Sequence, residues 1–143
     1  MTGSAFFDTN ILVYAEDKDE PEKRAIALRL LADHIASNDI VLSAQVLNEF
    51  YVNVRRLKRP LGAAQALSAL EQLASLPVVP VTVDLVVAAA AASEKYRVSY
   101  WDALILETAR AAGCTTVLSE DLSDGQDYDG VRVENPFRAA RRT

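Results

Sequence analysis

Cysteine and histidine are almost absent from this 143-residue chain, which has one of each. A single Cys114 forms neither an internal disulfide nor a thiolate zinc cage. It follows Gly113 beside a predicted strand and reads as a packed small apolar residue. The lone His34, in LLADHIAS, sits at the edge of a helical apolar stripe and reads as a partly exposed structural residue. Paired-histidine acid–base catalysis and the HExxH type of zinc hydrolysis are therefore excluded by counting. No uncharged apolar run approaches the roughly 20 residues of a membrane span. The start, MTGSAFFDTN, has neither the basic region nor the apolar stretch of a secretory signal, so a cytoplasmic protein is expected. Internal repeats, linkers and low-complexity tracts are also missing, and residues 1–143 read as one domain. A chain of this length buries roughly 68–70% of its unfolded surface, enough for a sizeable core.

Half the residues are apolar and 24% are charged, with a net charge of −5. That balance argues against nonspecific adhesion to nucleic acid. The charge is unevenly spread. Arg55, Arg56, Lys58 and Arg59 form one basic cluster, and Arg138, Arg141 and Arg142 form another; acids concentrate in 16–22 and 120–129. Each basic cluster reads either as solvated surface or as a phosphate contact.

Strand and helix signals alternate, the pattern of an α/β sheet with helices on its faces. Strands are expected at 4–8, 40–43, 78–81, 115–118 and 131–134. A helix over about 21–37 opens at Pro21, with Asp19 or Glu20 as cap and Ile26, Leu30 and Leu31 facing inward. Ser43 caps a second helix, expected to run to about Arg59 and to stop at Pro60. Further helices are expected over about 62–75, from Thr82 or Asp84 through Ala92, and over 100–112, the last capped by Ser99 and closed by Gly113. SEDLSDGQDYDG reads as a polar, turn-rich loop.

Against this background four acids stand out: Asp8 in FFDTN, Glu49 in LNEFYVN, Asp102 in YWDALIL and Asp121 in LSEDLSD. Asp8 and Asp121 follow strands at their carboxyl ends, where ligands of parallel sheets gather. Asp8 also suits a turn cap. Asp102 falls on the helical face of Val98, Ile105, Leu106 and Ala109, and Ser99-x-x-Asp102 also fits a capping box. Glu49 flanks an apolar helix face, with Gln45 and Asn53 one turn to either side. An EF-hand reading of the late loop fails, because with Gly130 in the turn position its first and twelfth ligands are Gly125 and Pro136. Two carboxylates about 5 Å apart repel by roughly 3 kcal/mol at an effective dielectric near 20. Four acids brought together must take up protons or bind a cation. Oxygen ligands without His or Cys select Mg²⁺ or Mn²⁺ over zinc or copper.

FFDTNILVYA, LSAQVLNEFYVN, SYWDALILETA, LSEDLSDGQ and ENPF together resemble the PIN-domain endoribonucleases, specifically the VapC-type toxins of VapBC toxin–antitoxin pairs. The resemblance implies a three-layer α/β/α fold with a five-stranded parallel sheet in the order 3-2-1-4-5. It also implies a metal-binding acidic quartet at Asp8, Glu49, Asp102 and Asp121, a homodimer, and an antitoxin whose tail occupies the active groove. Ser119 stands where the family usually has Thr, two residues before the last acid, and Asp124 is an alternative or additional acid.

The activity expected is hydrolysis of RNA phosphodiesters assisted by Mg²⁺ or Mn²⁺. Asp8 and Asp102 are expected to touch the metal, with Glu49 and Asp121 acting through water or holding a second ion. Thr9, Asn10, Ser119 and Asp124 are expected to orient carboxylates. Arg55, Arg56, Lys58 and Arg59 would hold flanking RNA backbone. Two rivals remain at this point. A receiver-like phosphoacceptor switch needs a lysine after a late strand, whereas Lys18, Lys23, Lys58 and Lys95 lie on predicted helices or early loops. A silent PIN-fold binding module is disfavoured by the intact acid set.

Overall fold

The computed structural model describes residues 3–138, so Arg141 and Arg142 of the second basic cluster lie outside the described residues. In chain order the elements are β1 (Ser4–Phe7), α1 (Thr9–Tyr14), α2 (Pro21–Ala36), β2 (Ile40–Ser43), α3 (Ala44–Val54), α4 (Ala63–Ala74), β3 (Val78–Val79), α5 (Val83–Tyr96), α6 (Tyr100–Ala111), β4 (Cys114–Leu118), β5 (Asp127–Tyr128) and β6 (Val131–Glu134). The sheet order is β3-β2-β1-β4-β6-β5. Its first five members pair in parallel, in the expected order, with β6 in the fifth place. The sixth strand, β5, is an antiparallel addition at the edge.

Burial explains the layering. Every residue of β2 is buried, which requires cover on both faces of the sheet. One group of helices has α1 against α2 and α3, and α3 against α4; the other pairs α5 with α6, and α6 lies on β4 and β6. Phe6, Phe7, Leu42, Val117 and Phe50 belong to the main core, while Leu85, Ala89, Ala103 and Leu104 form a smaller one between α5 and α6. Among the described residues no helix is long and apolar enough to cross a membrane.

Four local expectations need correction. The turn expected after Asp8 is a short helix, α1, in which Ile11 and Leu12 are buried. Its Thr, Ile and Val are poor helix formers, so packing overrides propensity here. Helix α3 stops at Val54 rather than near Arg59. The chain folds back there because Leu61 N–H donates to Val54 O at 3.0 Å, and Leu57 and Leu61 pack on the core. Helix α5 continues past Ala92 to Tyr96, where Arg97 ends it in the left-handed region at φ 56°. The loop read as irregular holds the β5–β6 hairpin, whose two-residue turn is Asp129-Gly130, both at positive φ. An Asp-Gly pair at such a turn is a strong hairpin signal.

Candidate active site

At the carboxyl ends of β1 and β4, a cleft of about 500 Å³ is lined by Asp8, Glu49, Asp102 and Asp121 together. They come from four separated parts of the chain. Asp8 leaves β1, Glu49 lies on α3, Asp102 sits in the first turn of α6, and Asp121 follows β4. Parallel strands set this up by delivering consecutive carboxyl ends to one edge of the sheet.

The segment Asp8-Thr9-Asn10 organises three of the four acids. Asp8 is 6% exposed and caps α1, its Oδ1 accepting from Thr9 N at 2.7 Å. The Thr9 hydroxyl donates to Glu49 Oε1 at 2.6 Å. The Asn10 amide donates to Asp121 Oδ2 at 3.0 Å, and its carbonyl oxygen accepts from Glu120 N at 3.2 Å. One short turn thus supplies an acid and a donor to each of two others.

Ser119 and Gln45 complete the frame. Fully buried Ser119 donates its hydroxyl to Asp8 Oδ2 at 2.7 Å and accepts from Asp121 N at 3.1 Å. Gln45 donates to Glu49 Oε2 at 3.3 Å and to Trp101 O at 3.2 Å, joining α3 to the start of α6. Ser99 accepts from Asp102 N at 3.1 Å, the expected cap.

None of the four cleft acids is in an ion pair among the described residues. For Asp8 and Asp102 burial therefore acts with no ion-pair partner against it. Desolvation pushes Asp8 up to about 6, against hydrogen bonds from Ser119 and Thr9 that pull it down; repulsion from Asp121 and Glu49 adds to the rise. Desolvation also raises Asp102, assisted by the same two acids and opposed by Ser99. Among the described residues, no three acids, cysteines or histidines form a ready-made metal cage.

Other sequence-predicted residues lie elsewhere. Asp124 does not line the cleft: its Oδ1 accepts from Asn135 N at 2.8 Å and its Oδ2 pairs with Arg138. Of the basic cluster at 55–59, Arg56 lines the cleft. Arg59 is pinned to Asp19 at 3.0 Å and Arg55 donates to Leu61 O at 3.1 Å. Lys58 is exposed and does not line the cleft. Beyond those expected, Trp101, Tyr14 and Leu57 contribute to the walls. Trp101 is 61% exposed, and its position next to Asp102 on α6 was the sequence signal available.

The solved structures most usefully compared share this architecture. VapC20 of Mycobacterium tuberculosis, described as a sarcin-ricin loop cleaving toxin, aligns over 82% of this chain and 90% of its own, at 24% identity and a TM-score of 0.69. A toxin–antitoxin complex from Klebsiella pneumoniae aligns over 93% and 98%, at 22% identity and a TM-score of 0.69. VapBC2 from Rickettsia felis, bound to a promoter DNA fragment, aligns over 92% and 97%, at 24% identity and a TM-score of 0.62. No curated relative matches in sequence. The PIN domain family matches residues 5–123, most of the chain, and so this protein belongs to the PIN-domain family.

Proposed function

We propose that the chain, as one PIN domain, is a metal-dependent endoribonuclease, the toxin of a toxin–antitoxin pair, hydrolysing RNA phosphodiesters in the acidic cleft. The observation behind this reading is the convergence of four acids, none with a basic partner among the described residues, on one cleft. The donor chemistry fits Mg²⁺ or Mn²⁺: oxygen ligands only, one of them nearly buried and raised towards neutrality. A three-point cage is not needed, because Mg²⁺ keeps several waters and uses one or two carboxylates plus substrate phosphate.

In this reading Asp8 and Asp102 hold the ion directly, and Glu49 and Asp121 act through water. When bound, such an ion lowers the pKa of water and offsets charge on the phosphate. Ser119, Thr9 and Asn10 fix the carboxylates so that little reorganisation remains during reaction. Arg56, on the wall, is placed to meet flanking phosphate. Partners in this reading are an antitoxin and a second copy of the chain; Val83 and Val87 of α5, 78% and 65% exposed, offer apolar surface for one of them. A receiver-like switch is disfavoured because none of the four lysines lines the cleft, and Lys23 pairs with Glu120 at 2.6 Å instead.

The test is RNA cleavage by purified protein with Mg²⁺ or Mn²⁺. EDTA should stop it, and Asp8→Asn should lower the rate at least about 100-fold while the protein stays folded. Undiminished cleavage by that variant would refute the assignment.

A further inference from the structure

Beside the acidic cleft lies a second cavity, of about 560 Å³, which shares Gln45, Glu49 and Trp101 with it. Its volume is within the range of small-molecule sites, about 300–1,000 Å³. Val81, Val86 and Tyr100 supply apolar walls, and Asn48 and Gln45 bring amides. Trp101, the only tryptophan of the chain, is 61% exposed and stands at the junction of the two cavities. Its ring packs edge-on against Tyr100, with centroids 5.0 Å apart, which steadies it without hiding it.

Charge narrows what this slot can take. Its lining has no basic residue and one acid, Glu49, so a phosphate is disfavoured and a flat neutral group is not. At the cleft itself the grip on phosphate is thin: Arg59 pairs with Asp19, Arg55 donates to Leu61 O, and Arg56 is, among the described residues, the one basic residue on the wall. With one arginine on the cleft wall, contacts other than phosphate are needed there to add affinity for RNA. Stacking of unpaired bases on aromatic rings is the physical alternative. Gln45 adds a polar marker at the shared wall. It is 6% exposed, and with both donor bonds made by its amide nitrogen, its Oε1 is buried without a partner.

We propose that this slot is a nucleobase subsite, taking one unpaired base of an RNA strand whose adjoining phosphate lies in the acidic cleft. It rests on the nuclease reading above and adds where the strand is read: Trp101 stacks on the base, and Asn48 meets its edge.

Emission from the single tryptophan reports the contact directly. Short single-stranded RNA oligonucleotides are titrated into the native chain in Ca²⁺, which answers the cleft's charge, instead of Mg²⁺ or Mn²⁺. A gel checks that the RNA stays intact, so that binding is measured without hydrolysis. Trp101 emission should change on binding, and an abasic residue at one position should abolish the change. By anisotropy, Trp101→Ala should bind roughly ten- to a hundredfold more weakly, while Trp101→Phe keeps most of the affinity. Unaltered emission, or equal binding by all three proteins, would overturn the subsite. A change of mass in light scattering for Trp101→Ala would also overturn it, marking the slot as a subunit interface. Because no cleavage is involved, loss of the subsite leaves the metal chemistry standing. Failure of cleavage with stacking intact removes only the nuclease.

Discussion

Replacing Asp8 by Asn should make the protein more stable at high pH and less stable at low pH. Asp8 is buried, and its carboxyl is raised from 3.8 to about 6. Each pH unit between those values corresponds to about 1.4 kcal/mol, so the ionised side chain costs the fold about 3 kcal/mol at pH 8. The sign follows from proton counting. Between 3.8 and about 6 the native state holds a proton that the unfolded chain has released, so stability falls as pH rises through that window. Asn carries no such charge. Its oxygen still accepts from Thr9 N, but its amide faces Ser119, whose hydroxyl proton loses the Asp8 acceptor. That mismatch costs about 1–2 kcal/mol at any pH.

The net expectation is a variant about 1–2 kcal/mol more stable at pH 8 and about 1–2 kcal/mol less stable below pH 4. The two stability curves cross between 3.8 and about 6. Urea unfolding at a series of pH values in EDTA measures this, and groups titrating identically in both proteins cancel in the difference. At pH 8, Mn²⁺ at a hundredfold excess over its Kd should then stabilise the native protein by about 2.7 kcal/mol and the variant by much less. A variant less stable at every pH, or a difference that ignores pH, would show that desolvation of Asp8 is not what the site holds in reserve.

Two further substitutions test separate parts of the structure. Arg56→Gln should raise KM for RNA several-fold with kcat little changed, whereas Arg59→Gln should leave both within about twofold, because its exposed pair with Asp19 is worth less than about 1 kcal/mol; equal effects in steady-state cleavage would contradict the separation. Arg97→Gly should stabilise the fold by about 0.5–1 kcal/mol, seen as a rise in Tm of about 2–4 °C, since Arg97 closes α5 at φ 56° where a side chain is strained; a fall in Tm would mean the arginine makes a compensating contact.

Legibility in the sequence followed the range of the interaction. The parallel strands were readable as short apolar runs, and the caps Ser43, Thr82 and Ser99 each accept the backbone bond expected of them. Helix α1 was not readable, since TNILVY is β-branched and is helical only because Asp8 caps it and the core takes Ile11 and Leu12. The end of α3 was hidden for a similar reason: Pro60 is a visible stop, but Leu57 and Leu61 turn the chain earlier by packing. The Asp129-Gly130 turn was visible and was outweighed by the acids around it. Arg55, Arg56, Lys58 and Arg59 looked equivalent as a run, but Arg55 bonds Leu61 nearby while Arg59 is held by Lys18 and Asp19, 41 and 40 residues away.

The cleft acids differ from the ion-paired acids of this chain in the kind of donor that holds them. Glu120 meets Lys23, Asp129 meets Lys95, Asp19 meets Arg59 and Asp124 meets Arg138, so their charge is answered within the protein. Asp8, Glu49 and Asp121 are instead held by a backbone N–H, hydroxyls and amides. Neutral donors fix a carboxylate in place without cancelling its charge. The contrast is sharpest at adjacent positions, where Glu120 takes a lysine and Asp121 takes Asn10. A fold that orients several carboxylates towards one space, and places its lysines elsewhere, leaves negative charge to be answered by protons or by the cation of the proposed reaction.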